Sequence, residues 1–195
     1  MRGRASLLLL CFEGDEGVQT GHYQLGYAVC KEVGGAVQDS EIGDRWFAER
    51  RTTSRAWAAN ARPGGLADVF NVSAPYSALK KVHSEMRAAL APLVNTLAAE
   101  MSHARGDGAA LDICFEAQVE DDDPAGAVAL YESIVAAGLD ACLQAGGAVA
   151  HHGGVGETRR RYFARERGPE GMAVLRSLKA VLDPNGVLNY GGLTL

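Results

Sequence analysis

Positive charge is scarce in this sequence, cysteines are few and unpaired in spacing, and no apolar run is long. Each shortage removes a class of function. Across 195 residues the formal net charge is −5, whereas nonspecific nucleic-acid binding needs a basic footprint. No nucleic-acid partner is therefore expected. Cys11, Cys30, Cys114 and Cys142 are scattered, with no Cys-x-x-Cys among them. They read as reduced, mostly buried thiols of a cytoplasmic protein. Met1-Arg2-Gly3-Arg4 followed by Leu7, Leu8, Leu9 and Leu10 imitates a signal peptide. That run stops at Phe12 against Glu13, Asp15 and Glu16, with no small-residue cleavage site in reach. It is also too short to cross a bilayer, so no transmembrane segment is expected. No internal repeat or low-complexity segment stands out.

What is present is an ordinary globular composition. Hydrophobic residues make up 47% and charged residues 22%, the balance of a folded domain rather than a disordered chain. The length suffices for one domain with a real core, with or without a tail. Residues 5–12 read as a short, buried central strand. A helix over 18–33 is stopped by Gly34-Gly35. A second helix covers 42–50, with a break at Pro63-Gly64-Gly65, and 67–72 is the next strand. Over 77–101, Leu79, Val82, Met86, Leu90, Leu93, Val94 and Leu97 recur at threes and fours, which predicts one long amphipathic helix. Segments 100–104 and 109–119 read as a hairpin closed by Arg105-Gly106-Asp107-Gly108.

The acidic run Glu120-Asp121-Asp122-Asp123-Pro124 has two readings, a metal loop or a helix start. No further ligands follow at calcium-loop spacing, which favours the helix start. A helix over 125–145 ends at Gly146-Gly147, and a last one over 169–182 opens at Pro169-Glu170. This order of elements predicts an α+β fold, a mainly antiparallel sheet with helices packed on one face. The division expected is a domain over 1–155 and a helical tail over 156–195 with little sheet of its own to join.

The chain is organised around Gly146-Gly147-Ala148-Val149-Ala150-His151-His152-Gly153-Gly154-Val155-Gly156. An apolar run climbs out of a glycine pair and delivers two histidines into a glycine-rich turn. Glycine lets a flat ligand approach the backbone closely, and histidine moves protons near neutral pH. A surface turn with two solvated histidines is the plainer reading of the same pattern. Adjacent histidines on a strand point to opposite faces, so no metal site is expected, and a small metal-dependent protein ranks last. The same alternation groups His152 with the small residues Ala148 and Ala150, on the side a ring system could approach. His151 then falls with Val149 on the packed side.

Several of these pieces in order carry a resemblance. The histidines before Gly154-Val155-Gly156, then Gly168-Pro169-Glu170-Gly171, a helix through Leu175, Leu178 and Leu182, and Asp183-Pro184-Asn185-Gly186-Val187-Leu188-Asn189 resemble the C-terminal end of FAD-linked oxidases. The superfamily is the vanillyl-alcohol-oxidase-like one, and the nearest branch is alkyldihydroxyacetonephosphate synthase-like. Ala74-Pro75-Tyr76-Ser77 and Met101-Ser102-His103-Ala104 extend the resemblance upstream.

The resemblance implies a ferredoxin-like cap domain, the substrate half of such enzymes. Hydride would pass from a small organic substrate to flavin. His152, His151 and Asp112 are then the catalytic candidates, Arg50, Asn189 and Gly154 the cofactor contacts, and His103 the substrate contact. Residues 1–60 supply no glycine-rich pyrophosphate loop. FAD is thus expected only where an FAD-binding domain is supplied, upstream or on a separate chain, and the tail is expected to pack on that domain. The chain departs from the family pattern at four places. Gly153 replaces a histidine, Asp112 the synthase's proton-transferring tyrosine, Glu100 a phosphate-contacting arginine, and Tyr190 a proline. The alternative is a non-catalytic cap remnant or binding module. Arg50 equally reads as a solvated face residue, and His103 as a core histidine.

Overall fold

A computed structural model describes residues 7–51, 64–119 and 123–194. The chain divides into two compact units, Met1–Asn60 and Ala61–Leu195. The first contains two helices among its described residues, α1 (Glu16–Glu32) and α2 (Ser40–Glu49). Each starts where an aspartate caps it: Asp15 accepts from the Gly17 N–H and Asp39 from the Glu41 N–H, both at 3.0 Å. Helix α1 ends as Gly34-Gly35 requires, with the Gly34 N–H bonded to the Lys31 carbonyl and the Gly35 N–H to that of Cys30.

The strand expected over 5–12 does not form across its described part, residues 7–12. A strand needs a neighbouring backbone, and here the apolar side chains turn to a helix instead. Phe12 meets Tyr23 edge-on at 6.0 Å. A Cβ added at Gly26 of α1 would stand 2.9 Å from the Phe12 ring, so the absence of a side chain there makes the seat.

The second unit runs β1 (Gly65–Pro75), α3 (Tyr76–Leu90), β2 (Thr96–Ser102), β3 (Gly108–Gln118), α4 (Pro124–Gln144) and α5 (Gly156–Leu182), then a short 3₁₀ turn (Gly192–Thr194). The three strands form an antiparallel sheet in the order β1-β3-β2. The architecture is α+β, with α3 and α4 on one face of the sheet. Cross-strand pairs Phe70–Ile113 and Val72–Leu111 lie on that face, all four residues buried. From α3 come Val82, Met86 and Leu90, and from α4 Ile134, Leu139 and Cys142, each 0% exposed. A fully buried side chain of this size contributes about 1.5–3 kcal/mol relative to exposure. Helix α4 is apolar enough in composition to cross a membrane; it buries Ile134, Val135, Gly138, Leu139 and Cys142 in this core and leaves Val128 exposed. Gly138 is part of the fit, since a Cβ there would stand 2.8 Å from the Phe70 ring.

The helix expected over 77–101 stops at Leu90. Pro92 explains the difference: Ala91 still has helical backbone and bonds the Arg87 carbonyl, but Pro92 lacks the N–H that would continue the ladder. Leu93 closes the turn on the Leu90 carbonyl at 2.9 Å, and Asn95 enters the sheet through the Glu116 carbonyl at 2.8 Å. Leu97 therefore belongs to β2. Gly108 begins β3 where two backbones nearly touch, and a Cβ there would lie 2.4 Å from the Ala74 carbonyl oxygen. Helix α4 starts on Asp123, which accepts from the Gly126 N–H at 3.0 Å, with Pro124 in its first turn; Glu120, Asp121 and Asp122 lie outside the described residues.

Helix α5 is kinked at Gly168, whose φ of 68° and following Pro169 interrupt the hydrogen-bond ladder. Its first part carries Tyr162, 2% exposed and a member of the sheet core. The segment from Gly156 thus begins inside the same core as the sheet. Past the kink, Asp183 organises the turn written Asp-Pro-Asn-Gly. Its carboxylate accepts from the Val187 and Leu188 N–H groups at 3.0 and 2.9 Å and pairs with Lys179. Those bonds, the Lys179 one foremost, hold its pKa below the ordinary 3.8.

Candidate functional site

The histidine segment leaves α4 through Gly146, with φ of 89°, and Gly147, where a Cβ would stand 2.6 Å from the Cys142 sulfur. It then meets the free edge of β1 at one point only, a bridge between Ser73 and Ala148. The strand expected from Ala148 goes no further, and side chains take over the backbone pairing. Glu166 accepts the Val149 N–H at 2.8 Å, and Arg159 donates to the Val149 carbonyl at 3.0 Å. The same guanidinium reaches the Asn71 and Val69 carbonyls at 2.9 and 3.4 Å. Asn71 Oδ1 accepts from the N–H groups of His152 and Gly153, at 2.9 and 3.0 Å.

Because the ladder ends at Ala148, strand alternation is lost before it reaches the histidines. His151 and His152 do not diverge to opposite faces. Their Nδ1 atoms are 2.9 Å apart, and the His103 ring lies 4.4 Å from that of His152 and 5.3 Å from that of His151. All three rings are exposed, and one nitrogen of each lies within 4.8 Å of the others. His103 stands just past the end of β2 rather than within a strand, with a left-handed φ of 48°. That conformation is uncommon for a residue with a side chain and is held here by the hairpin.

Behind the rings is a polar network on the sheet face away from α3 and α4. Asp112 of β3 pairs in register with Asn71 of β1 and Glu100 of β2. The Asn71 Nδ2 donates to its Oδ1, and the Ser102 hydroxyl donates to its Oδ2 at 2.7 Å. His103 Nδ1 lies 3.0 Å from that hydroxyl oxygen. A hydroxyl has a single proton, and Ser102 gives its own to Asp112. It therefore accepts from His103, whose neutral form carries its proton on Nδ1 and leaves Nε2 as the basic nitrogen.

His103 and His151 open onto a cleft of about 470 Å³ walled by small residues, among them Ser73, Ala74, Gly108, Gly147 and Ala148, with Arg105 at its side. It is His151, not His152, that lines this cleft beside His103. A second hollow of about 160 Å³ lies by Asp68, Tyr131 and the Gly153–Gly156 turn. Burial and then the hydrogen bond to Asp68 push the Tyr131 phenol up to about 12, which keeps it from proton transfer near neutral pH. Cys142, raised to about 12 chiefly by burial, is likewise inert. The Cys114 thiol is raised by burial and by Glu100, Asp112 and Asp68. Of the four cysteines, all free, only Cys142 is buried, fewer than the sequence leads one to expect.

The expected site residues thus fall into two sets. His103, His151, His152 and Asp112 come together, Asp112 through Ser102. Gly154 lies in the turn beside them with φ of 73°. Asn189, also left-handed at 47°, sits in the turn after α5, and it shares no hydrogen bond or ring contact with the histidines among the described residues. Arg50 belongs to the first unit, its guanidinium 3.6 Å over the Phe47 ring. Asn71, Ser102, Arg159 and Glu166 are absent from any expectation. Asn71 had a signal: an amide inside Val69-Phe70-Asn71-Val72 is out of place in a strand unless it has a task. Arg159 and Glu166 had none, since charged residues on a helix ordinarily face solvent.

Comparison with known proteins agrees with this fold. Residues 2–193 match the family model for "FAD linked oxidases, C-terminal domain". An alkyldihydroxyacetonephosphate synthase of Caenorhabditis elegans is 34% identical over 64 residues, 33% of this chain and 11% of that protein. A solved alkyldihydroxyacetonephosphate synthase, crystallised in P212121, superposes with a TM-score of 0.55 at 17% identity, over 89% of this chain and 28% of that one. At that identity the likeness is one of fold, and the chain spans less than a third of either relative. The chain belongs to the family of FAD-linked oxidase C-terminal domains.

Proposed function

We propose that this chain is the substrate-binding half of an FAD-linked oxidoreductase, working in the cytoplasm with an FAD-binding domain that precedes it or stands on a separate chain. The observation that carries the reading is the convergence of His103, His151 and His152 over an open cleft, with the His103 tautomer set by Ser102 and Asp112. The residues fit one part of the cofactor. Small side chains wall the cleft, which suits a flat ring, and no described glycine loop cradles a pyrophosphate. The bulk of FAD is then held elsewhere, with Gly154 and Asn189 as contacts the second unit adds. When bound, the flavin accepts a hydride from the substrate.

This chain's task is the proton. His103 Nε2 takes it from the small organic substrate, and Asp112, through Ser102, offsets the positive charge that results. His151 shares the cleft, and His152, fixed through its N–H by Asn71, packs behind His103. Glu100 beside Asp112 makes this face acidic, which disfavours a phosphate-bearing substrate. A binding module without catalysis is the second reading. It is favoured by Gly153 and Asp112, where relatives of the resembled branch carry a histidine and a tyrosine.

The test reconstitutes the chain with an FAD-binding domain of the family and follows flavin reduction by stopped flow across a panel of small hydroxy compounds. His103→Ala is expected to slow reduction about 10²-fold, the usual loss for a proton-handling group. Absence of flavin reduction with every compound of the panel would favour the binding module, and reduction at an unchanged rate in both His103→Ala and His151→Ala would remove these histidines from the chemistry.

A further inference from the structure

We infer that His103, His151 and His152 form a site for a divalent first-row transition ion of the zinc class, its fourth position open to the cleft. Three imidazoles reach one point from two distant stretches of chain, and one nitrogen from each already lies within 4.8 Å of the others. A tetrahedral ion with nitrogens about 2.0–2.1 Å away holds them about 3.4 Å apart. The His151 and His152 Nδ1 atoms, at 2.9 Å, are already inside that separation. Closing the third side needs only a side-chain rotation, which exposed rings make at little cost.

The surroundings match what metal-binding histidines require. Such a histidine hands its other ring nitrogen to an acceptor that fixes its tautomer and orientation. His103 does so through Nδ1 to Ser102, which is itself bonded to the Asp112 carboxylate. Asn71 ties the same carboxylate to the backbone of His152, so one amide joins two ligand-bearing segments. Asp112 and Glu100, opposite each other in register, supply negative charge beside a cluster whose ligands carry none when bound. An all-nitrogen set selects zinc, copper, nickel or cobalt over magnesium and calcium, which take oxygen. The open fourth position, facing the 470 Å³ cleft, is the arrangement of a site that binds a further small ligand rather than one that only holds the fold.

An ion on His103 Nε2 and a substrate proton compete for one lone pair, so the site stands independently of the proton transfer proposed above, and its test uses this chain alone. The purified chain, stripped with a chelator, is titrated with Co²⁺ and then Zn²⁺. The expected result is one saturable set of visible bands of tetrahedral cobalt, removed by zinc. His103→Gln, His151→Gln and His152→Gln should each weaken cobalt binding at least about 10-fold. Asp112→Asn should weaken it about 10–100-fold, as loss of an outer hydrogen-bond partner does. His22→Gln and His83→Gln should leave it unchanged. The three ligands are exposed, so the variants keep the fold, and circular dichroism verifies that. Titration without tetrahedral bands, or bands that persist in His103→Gln, overturns the site.

Discussion

The two parts of α5 are alike in sequence and opposite in fate. Residues 156–167 and 169–182 both carry apolar side chains among charged ones. In the first part Tyr162 is sealed in the core, while Arg159 and Glu166 hold the histidine segment. In the second, Met172 is buried, yet Val174, Leu178, Val181 and Leu182 are 53–78% exposed. Amphipathic spacing announces that a face will be covered, but not which surface covers it. The first part finds its surface within this chain. The second leaves most of its apolar face exposed, and we propose that an FAD-binding domain covers it.

Three experiments sharpen or break this contrast. The largest effect belongs to Tyr162→Ala, which should destabilise the second unit by about 3–5 kcal/mol, as loss of a buried aromatic ring does. Chemical denaturation measures it, and a loss under about 1 kcal/mol would mean the first part is docked no better than the second. A smaller, local effect is expected from acid. Because the folded-state pKa of Asp183 is depressed, its stabilising contribution is present above its ordinary 3.8 and is lost as pH falls through the folded value. The Val187 and Leu188 amide resonances should therefore shift together only below pH 3.8. A shift near neutrality would assign the turn to some other group. The smallest effect is expected from Leu178→Ser, within about 0.5 kcal/mol, as for an exposed site. A cost of about 1 kcal/mol or more would show that this face already packs within the chain.

Much of the architecture was legible because local chemistry and tertiary structure agree. Asp123 starts a helix as the acidic run before Pro124 leads one to expect, and Gly34-Gly35 and Gly146-Gly147 end helices; Asp15 and Asp39 cap two more that begin two residues earlier than the apolar spacing shows. The failures have physical causes. Spacing at threes and fours persists from Val82 to Leu97, a pattern that crosses from a helix into a strand and hides the stop at Pro92. Residues 7–12 have a strand's composition, but composition does not supply a neighbouring backbone. At the site, the histidines were found by their type, while their convergence was not. It depends on where a ladder stops, and the stop is made by Asn71, 81 residues before His152, together with Arg159 and Glu166 on the helix that follows.

Arg159 has one more consequence. By bonding the Val69 and Asn71 carbonyls, it occupies the outer edge of β1 where a fourth strand would lie, next to the Ser73–Ala148 bridge. A bare edge invites other chains to add strands to it, and natural sheets blunt theirs with charge. Here a single guanidinium both completes the sheet and repels intruders, so the chain guards itself against aggregation with the same residue that sets its histidines in place.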